Sequence, residues 1–184
     1  MNLCVLKSGG DFNPEHVRRL ASMVPDLFCI SDVFIHGLPV IPMHYNWPSW
    51  WCKMEMFRPD IEGDIFYFDL DTTVIQMPEI PEGDCVLTDF GNPDVIGSGL
   101  MYLTEQTRFK IWDHWIKSPG KHISQNITLG DQGYLNQHLH TAKRWQRIAK
   151  VYSYKRHCTN GIPQDANVVC YHGKPRPWDI EHAL

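Results

Sequence analysis

Two carboxylates at i and i+2, Asp69 and Asp71, close the apolar run Ile65-Phe66-Tyr67-Phe68. On an extended backbone this spacing points both side chains the same way. At the carboxyl end of a buried strand such a pair has two chemical uses. It can hold a hard divalent cation through oxygen, or one carboxylate can attack phosphorus as a nucleophile. Without chemistry, the same acids would cap neighbouring backbone or pair with Arg58. Ligands of open α/β sheets gather beyond the carboxyl ends of strands, which favours a functional pair.

A second cluster lies near the C-terminus, where Val168-Val169-Cys170-Tyr171 empties into His172-Gly173-Lys174-Pro175-Arg176-Pro177-Trp178. Histidine supplies a nitrogen ligand for a manganese-like ion, glycine lets backbone approach a ligand, and lysine offers a point charge to a phosphate. A lone histidine after a strand is usually structural, but the three residues together are less common by accident.

Charge is unevenly spread along the chain, although the net value of −4 predicts neither nucleic acid nor membrane binding. From Glu55 to Asp94 there are eleven acidic residues against one basic, Arg58, which suits a cation. From Thr141 to Asn160 there are six basic residues (Lys143, Arg144, Arg147, Lys150, Lys155, Arg156) and no acid. That run suits an anion such as a phosphate, or else forms a solvated helix face leading into an edge strand.

The elements that must position these residues follow from local signals. Asn2–Leu6 and Leu27–Ile30 are expected strands, the second running into Ser31-Asp32. Asn13-Pro14 starts a helix that Pro25 stops. Pro39–Pro42 is a short extended piece, and Ser49 is expected to cap a helix containing Trp50, Lys53, Met54 and Phe57. Further strands are expected at Ile65–Phe68, at Cys85–Thr88 and across residues 95–103, the last broken by Gly97-Ser98-Gly99. Residues 105–117 have helical spacing, and Asp131 is expected to cap a helix running to about Trp145. Residues 148–154 and 167–171 close the series as strands. Alternation of strands with helices predicts an α/β class, a mixed sheet parallel at its centre and flanked by helices.

Hydrophobic residues at 43% and charged residues at 21% describe an ordinary globular chain, neither disordered nor fibrous. With no repeat or linker, one domain over residues 1–184 is expected. The six cysteines contain no C-x-x-C pair, Met1 leads into a strand rather than a leader, and no apolar stretch approaches a membrane span. A reducing cytoplasm is therefore expected, without zinc sites or disulfides.

Asp69-Leu70-Asp71-Thr72-Thr73 fits the first motif of haloacid-dehalogenase-like phosphohydrolases, in which Asp69 would be the nucleophile. That family needs a later serine or threonine, for which Thr88 could serve, and a further acidic pair. Asp131 has no second carboxylate in Gly130-Asp131-Gln132-Gly133-Tyr134-Leu135-Asn136, and some sixty residues precede a strand that usually opens the fold.

Taken together, the motifs resemble a metal-dependent glycosyltransferase of the GT-A (Rossmann-like) fold, nearest to the family 8 (glycogenin and galactosyltransferase-like) group. Asp69-Leu70-Asp71 is similar to its D-x-D motif, and Gly97-Ser98-Gly99-Leu100 resembles its N-S-G-hydrophobic segment. Asp131-Gln132-Gly133-Tyr134-Leu135-Asn136 resembles a D-Q-D-x-L-N helix start, and the terminal run resembles H-x-x-G-x-x-K-P-W. Gly97 stands in place of the asparagine, Gly133 replaces the second aspartate, and His172 is closer to its lysine than in that group.

The resemblance implies transfer of a sugar from a nucleotide diphosphate sugar, UDP-linked, with Mn2+ or Mg2+ held by Asp69, Asp71 and His172. Leu6, Lys7, Ser8, Gly9 and Asp32 would form the nucleotide loop and Lys53 a basic helix. Leu70 belongs to the metal motif, Gly97 and Ser98 would contact the donor sugar, and Gly173 and Lys174 the phosphates. Asp131 and Gln132 would line the catalytic face. The acceptor is open, an anionic glycan or nucleic acid being compatible with the basic run. A nucleotide-sugar-binding protein without turnover is the alternative in another class.

Overall fold

A computed structural model describes residues 1–181 of the chain. Its main sheet has seven strands. In chain order these are β1 (Asn2–Leu6), β2 (Leu27–Ser31), β3 (Val40–Pro42), β4 (Ile65–Phe68), β6 (Cys85–Thr88), β7 (Ile96–Leu103) and β8 (Lys143–Arg144). Across the sheet the order is β3-β2-β1-β4-β7-β6-β8. The first four are parallel, whereas β7 runs antiparallel to both β4 and β6. The expected mixed α/β sheet with a parallel centre is the one observed.

Parallel strands are buried on both faces, and β1 shows how the sequence meets that demand. Leu3 and Val5 join one core cluster with Met54, Phe57, Trp112, Trp115 and Leu135. Cys4 and Leu6 join the other with Val17, Leu20, Val151 and Val168. The second face is covered by α1 (Pro14–Ala21), whose start is as expected: Asn13 Oδ1 accepts from the Glu15 N–H at 2.9 Å, with Pro14 at the first position. The first face is covered by α2 (Glu105–Trp115), α3 (Pro119–Gln125), α4 (Gly130–Leu139) and a 3-10 helix, Ser49–Phe57.

A second, three-stranded sheet was not foreseen. It contains β5 (Thr72–Val74), β9 (Val151–Ser153) and β10 (Val168–Cys170), in the order β5-β10-β9. Its β5 follows the paired aspartates by one residue, so β4 and β5 belong to different sheets although only Asp69-Leu70-Asp71 separates them. Short helices α5 (Tyr154–His157) and α6 (Pro177–Glu181) complete the chain. Among the described residues no helix is long and apolar enough to cross a membrane.

Several expected boundaries shift for physical reasons. The helix from residue 131 ends at Leu139, because Lys143–Arg144 pairs with β6 and Trp145 packs on Phe66 at 5.0 Å. The strand expected over residues 148–154 contracts to Val151–Ser153. Ser49 is not a cap: it takes φ +50°, and Pro48 precedes the helix without a side-chain bond. Strand β7 is continuous through its glycines. The register against β6 jumps from Val86↔Met101 to Leu87↔Gly97, which leaves Ser98, Gly99 and Leu100 unpaired on that side.

Candidate active site

The carboxyl ends of β1, β4 and β10 open into a cavity of about 1060 Å3. It is lined by Leu6, Lys7, Ser8, Gly9, Lys53, Asp69, Leu70, Asp71, Gly97, Ser98, Asp131, Gln132, His172 and Gly173 among others. Of the sixteen expected site residues, only Asp32 and Lys174 do not reach the wall.

Its floor is an ion cluster. Lys53, 7% exposed, places Nζ 3.0 Å from Asp69 Oδ1 and 3.1 Å from Asp131 Oδ2. The same ammonium donates to the carbonyl and hydroxyl of Ser98 at 3.2 and 3.1 Å, and the Ser98 hydroxyl donates to Asp131 Oδ2 at 2.8 Å. Burial alone would discharge Lys53, but Asp131 and Asp69 together hold its pKa above the ordinary lysine value. Asp131 is therefore no helix cap; its carboxylate turns down to the floor, and the N-cap position belongs to Leu129.

The bulged register of β7 makes this possible. A Cβ at Gly97 would lie 2.9 Å from Leu87 Cβ, and one at Gly99 would lie 3.0 Å from Asp69 Oδ2. Glycine at both positions lets β7 pass close to β6 and to the aspartate, with Ser98 between them aimed inward. Tyr67, two residues before Asp69 on the same face, donates its hydroxyl to Asp69 Oδ1 at 2.6 Å.

Asp71 faces the opposite wall, where the Arg176 guanidinium pairs with its Oδ2. Burial and the charge of Asp69 raise the Asp71 carboxyl to about 7 against the pull of Arg176. Arg176 also lies over the Phe12 ring at 4.8 Å, and Trp178 stacks on His16 at 3.7 Å. The C-terminal segment is thus pinned across the mouth of the cavity to the start of α1.

Lys7 donates to Asn46 Oδ1 at 2.6 Å and to the Trp47 carbonyl at 2.5 Å, fixing the loop after β1. Asp32 acts from behind that loop, accepting from the Ser8 N–H at 2.8 Å and hydroxyl at 2.7 Å. Burial opposes ionisation of Asp32, yet the two Ser8 bonds draw its pKa below the usual value. Gln132 donates to Asp89 Oδ2 at 3.0 Å, and Asp89 Oδ1 holds the turn at Gly91 and Asn92.

The expected metal set is only partly assembled. Asp69 Oδ2 and Asp71 Oδ1 each lack a protein partner among the described residues, so each carboxylate keeps one oxygen open to a ligand. His172 does not join them. Its Nε2 lies 2.6 Å from the Ser153 hydroxyl and its ring stacks on Phe90. Among the described residues no three His, Cys, Asp or Glu side chains gather as a metal-holding group. The β10 residue beside the aspartates is Cys170, whose thiol pKa is pushed up by burial and then by Asp71 and Asp69.

The basic run is likewise divided. Arg144 donates to the Ala142 and His140 carbonyls at the end of α4, Lys143 to the Glu82 carbonyl, and Lys150 faces Asp165. Of the six, only Arg156 lines the cavity.

Tyr67, Asp89, Cys170 and Arg176 were not singled out from the sequence. A signal existed for Arg176: Gly173, Arg176, Pro177 and Trp178 keep the G-x-x-K-P-W spacing, and Lys174 does not.

No protein-family model and no curated protein matches the sequence. Solved structures do match the fold. The glycosyltransferase GlyE of Streptococcus pneumoniae TIGR4 is 13% identical with a TM-score of 0.59, over 97% of this chain and 55% of that one. Its apo form aligns at 15% identity and TM-score 0.60, over 96% and 55%. The galactosyltransferase LgtC, solved with donor and acceptor sugar analogues, is 11% identical with a TM-score of 0.61, over 97% and 89%. The present chain thus spans about 55% of the length of the GlyE chain.

Proposed function

We propose that the chain is a glycosyltransferase that moves a sugar from a nucleotide diphosphate sugar, UDP-linked, to an acceptor. The observation that carries this is the buried Lys53 joining Asp69, Ser98 and Asp131 on one side of a cavity whose other side holds Asp71 and Arg176. Likeness of fold to glycosyltransferases supports it.

Bond cleavage between sugar and phosphate develops negative charge on the departing diphosphate. Arg176 is the cation placed to receive that charge, and its planar fork suits phosphate oxygens. Asp69 and Asp71 would hold Mn2+ or Mg2+, which supplies further neutralisation of the diphosphate when bound. Lys53 holds the carboxylates of Asp69 and Asp131 in direction. Ser98 and the bare backbone of Gly97 bear the donor sugar, and Asp131 with Gln132 faces its reacting carbon. The loop of Lys7, Ser8 and Gly9, braced by Asp32, takes the nucleotide.

The phosphohydrolase alternative has less support. Thr88 is bound through its backbone to Gln146, at 2.9 and 2.8 Å, within the strand edge. A binding protein without turnover shares the same donor site and is separated by catalysis alone.

Isothermal titration with UDP, with and without Mn2+, tests the donor site. Asp71→Asn keeps the volume and removes the charge, so the Mn2+-dependent part of the affinity should vanish. Wild-type affinity in that variant would reduce the aspartates to a strand end. Release of UDP from a UDP-sugar then distinguishes an enzyme from a binding protein, and phosphate release from a simple phosphomonoester would restore the phosphohydrolase.

A further inference from the structure

In a 3-10 helix side chains at i and i+3 stand in one row. Along Ser49–Phe57 the row of Trp51, Met54 and Phe57 enters the core, none more than 4% exposed. Trp50 and Lys53 form the next row, and both line the cavity. Lys53 is at the floor with Asp69, Ser98 and Asp131. Trp50 stands one turn above it with 54% of its surface exposed. Its neighbour Trp51 stacks on Trp115 at 5.3 Å, whereas the Trp50 ring has no aromatic partner among the described residues.

The position of this ring is built. Its indole lies against Gly130, where a Cβ would come 2.2 Å from Nε1 and 2.7 Å from Cδ1. Gly130 adopts φ +59°, so glycine serves both the turn and the contact. The next residue is Asp131. Trp50 therefore overhangs the start of the helix that carries Asp131 and Gln132, with Thr128 and Leu129 beside it on the wall.

We propose that Trp50 is the stacking platform for the ring of the acceptor sugar, a proposal that rests on the nucleotide-sugar reading above. A pyranose has an apolar face of C–H groups and a polar rim, which matches a flat aromatic face beside hydrogen-bonding groups. The donor sugar must reach down to Ser98 and Asp131. A ring one helical turn further out, on the solvent side of Asp131, meets the second sugar.

The test is made on protein saturated with UDP, titrated with methyl β-galactopyranoside and methyl β-glucopyranoside. Binding is followed by tryptophan fluorescence and by saturation-transfer NMR. Wild type should bind at least one glycoside and show a saturable change in emission. Trp50→Ala should weaken that binding by about tenfold, and Trp50→Phe should retain most of it while losing the emission change. UDP affinity should stay within about twofold in both variants, since the ring is seated against Gly130 at the start of α4. Melting temperatures identify a misfolded alanine variant, in which case the phenylalanine variant decides through the emission change.

Absence of glycoside binding to UDP-loaded wild type overturns the proposal, as does unaltered binding in Trp50→Ala. A variant that weakens UDP-galactose or UDP-glucose relative to UDP, without affecting free glycosides, would assign the ring to the donor and overturn it equally. If wild type binds no UDP, the nucleotide-sugar reading falls separately. Titration of the UDP-free protein then judges Trp50 alone, since loss of glycoside binding in Trp50→Ala upholds a sugar platform and its absence removes it.

Discussion

Arg176 reaches back across 105 residues of sequence to pair with the carboxylate of Asp71. The contact joins the C-terminal segment to the connection between the two sheets, at the point where a diphosphate would lie. Arg176→Ala should weaken UDP binding roughly tenfold to a hundredfold, the value of a charge-assisted hydrogen bond. Titration calorimetry without added metal isolates this contribution. An unchanged dissociation constant would leave Arg176 as a strut for the C-terminal segment.

Among the described residues Lys53 is the single cation paired with both Asp69 and Asp131 at the floor of the cavity. Lys53→Met would leave the buried Asp131 carboxylate and the part-exposed Asp69 carboxylate without their shared cation, and the expected loss of stability is up to about 3 kcal/mol. Lys53→Met combined with Asp131→Asn should recover part of that loss, because one of the stranded charges is gone. Denaturant unfolding of the two variants measures both. Equal stability of the single variant and wild type would contradict the buried ion cluster.

The division of the basic run separates two kinds of arginine. Arg156→Ala should flatten the salt dependence of binding to an anionic acceptor such as a sugar phosphate, because each neutralised phosphate releases counterions. Arg144→Ala should leave that slope alone and lower the melting temperature, since Arg144 caps carbonyls at the end of α4. A change of slope in Arg144→Ala with none in Arg156→Ala would reverse the assignment.

Histidines 122 and 138 pack beside Tyr134 at 4.9 Å each. Burial is the main reason that both pKa values fall below the ordinary histidine value. The folded state then binds fewer protons than the unfolded chain just below neutrality. Their contribution to stability is present above the unfolded pKa, about 6.5, and is lost as pH falls through the folded values. The melting temperature should therefore drop between pH 7 and 5, and His138→Gln should make that drop shallower. An identical pH profile in the variant would exclude His138 as a source.

Much of the fold was legible because its strands announce themselves. Asn2–Leu6, Ile65–Phe68 and Cys85–Thr88 are short apolar runs bounded by polar turns, and each forms where expected. Strands β9 and β10 fall within those expected at residues 148–154 and 167–171, but β5, only three residues long, was not legible, and so neither was the second sheet. The pairing of β5 with β10 spans nearly a hundred residues of sequence. At the site, Asp69, Asp71, Ser98 and Asp131 could be found from motif spacing. The role of Tyr67 could not, since it looks like an ordinary member of an apolar strand, whereas Cys170 stands at the first position of the H-x-x-G-x-x-K-P-W spacing that also marks Arg176. His172 attracted attention by residue type, but its side chain turns toward Ser153 and Phe90.

The three residues Asp69-Leu70-Asp71 are where the backbone leaves one sheet and enters another. Asp69 takes its backbone bond from β7 of the large sheet, through the Gly99 carbonyl at 2.9 Å, and Asp71 gives its carbonyl to Tyr171 beside the small sheet at 3.2 Å. The two carboxylates thus stand on different sheets that meet at a seam. A tilt of one sheet against the other changes the gap between them directly, so the pair works as a caliper on the width of the cavity.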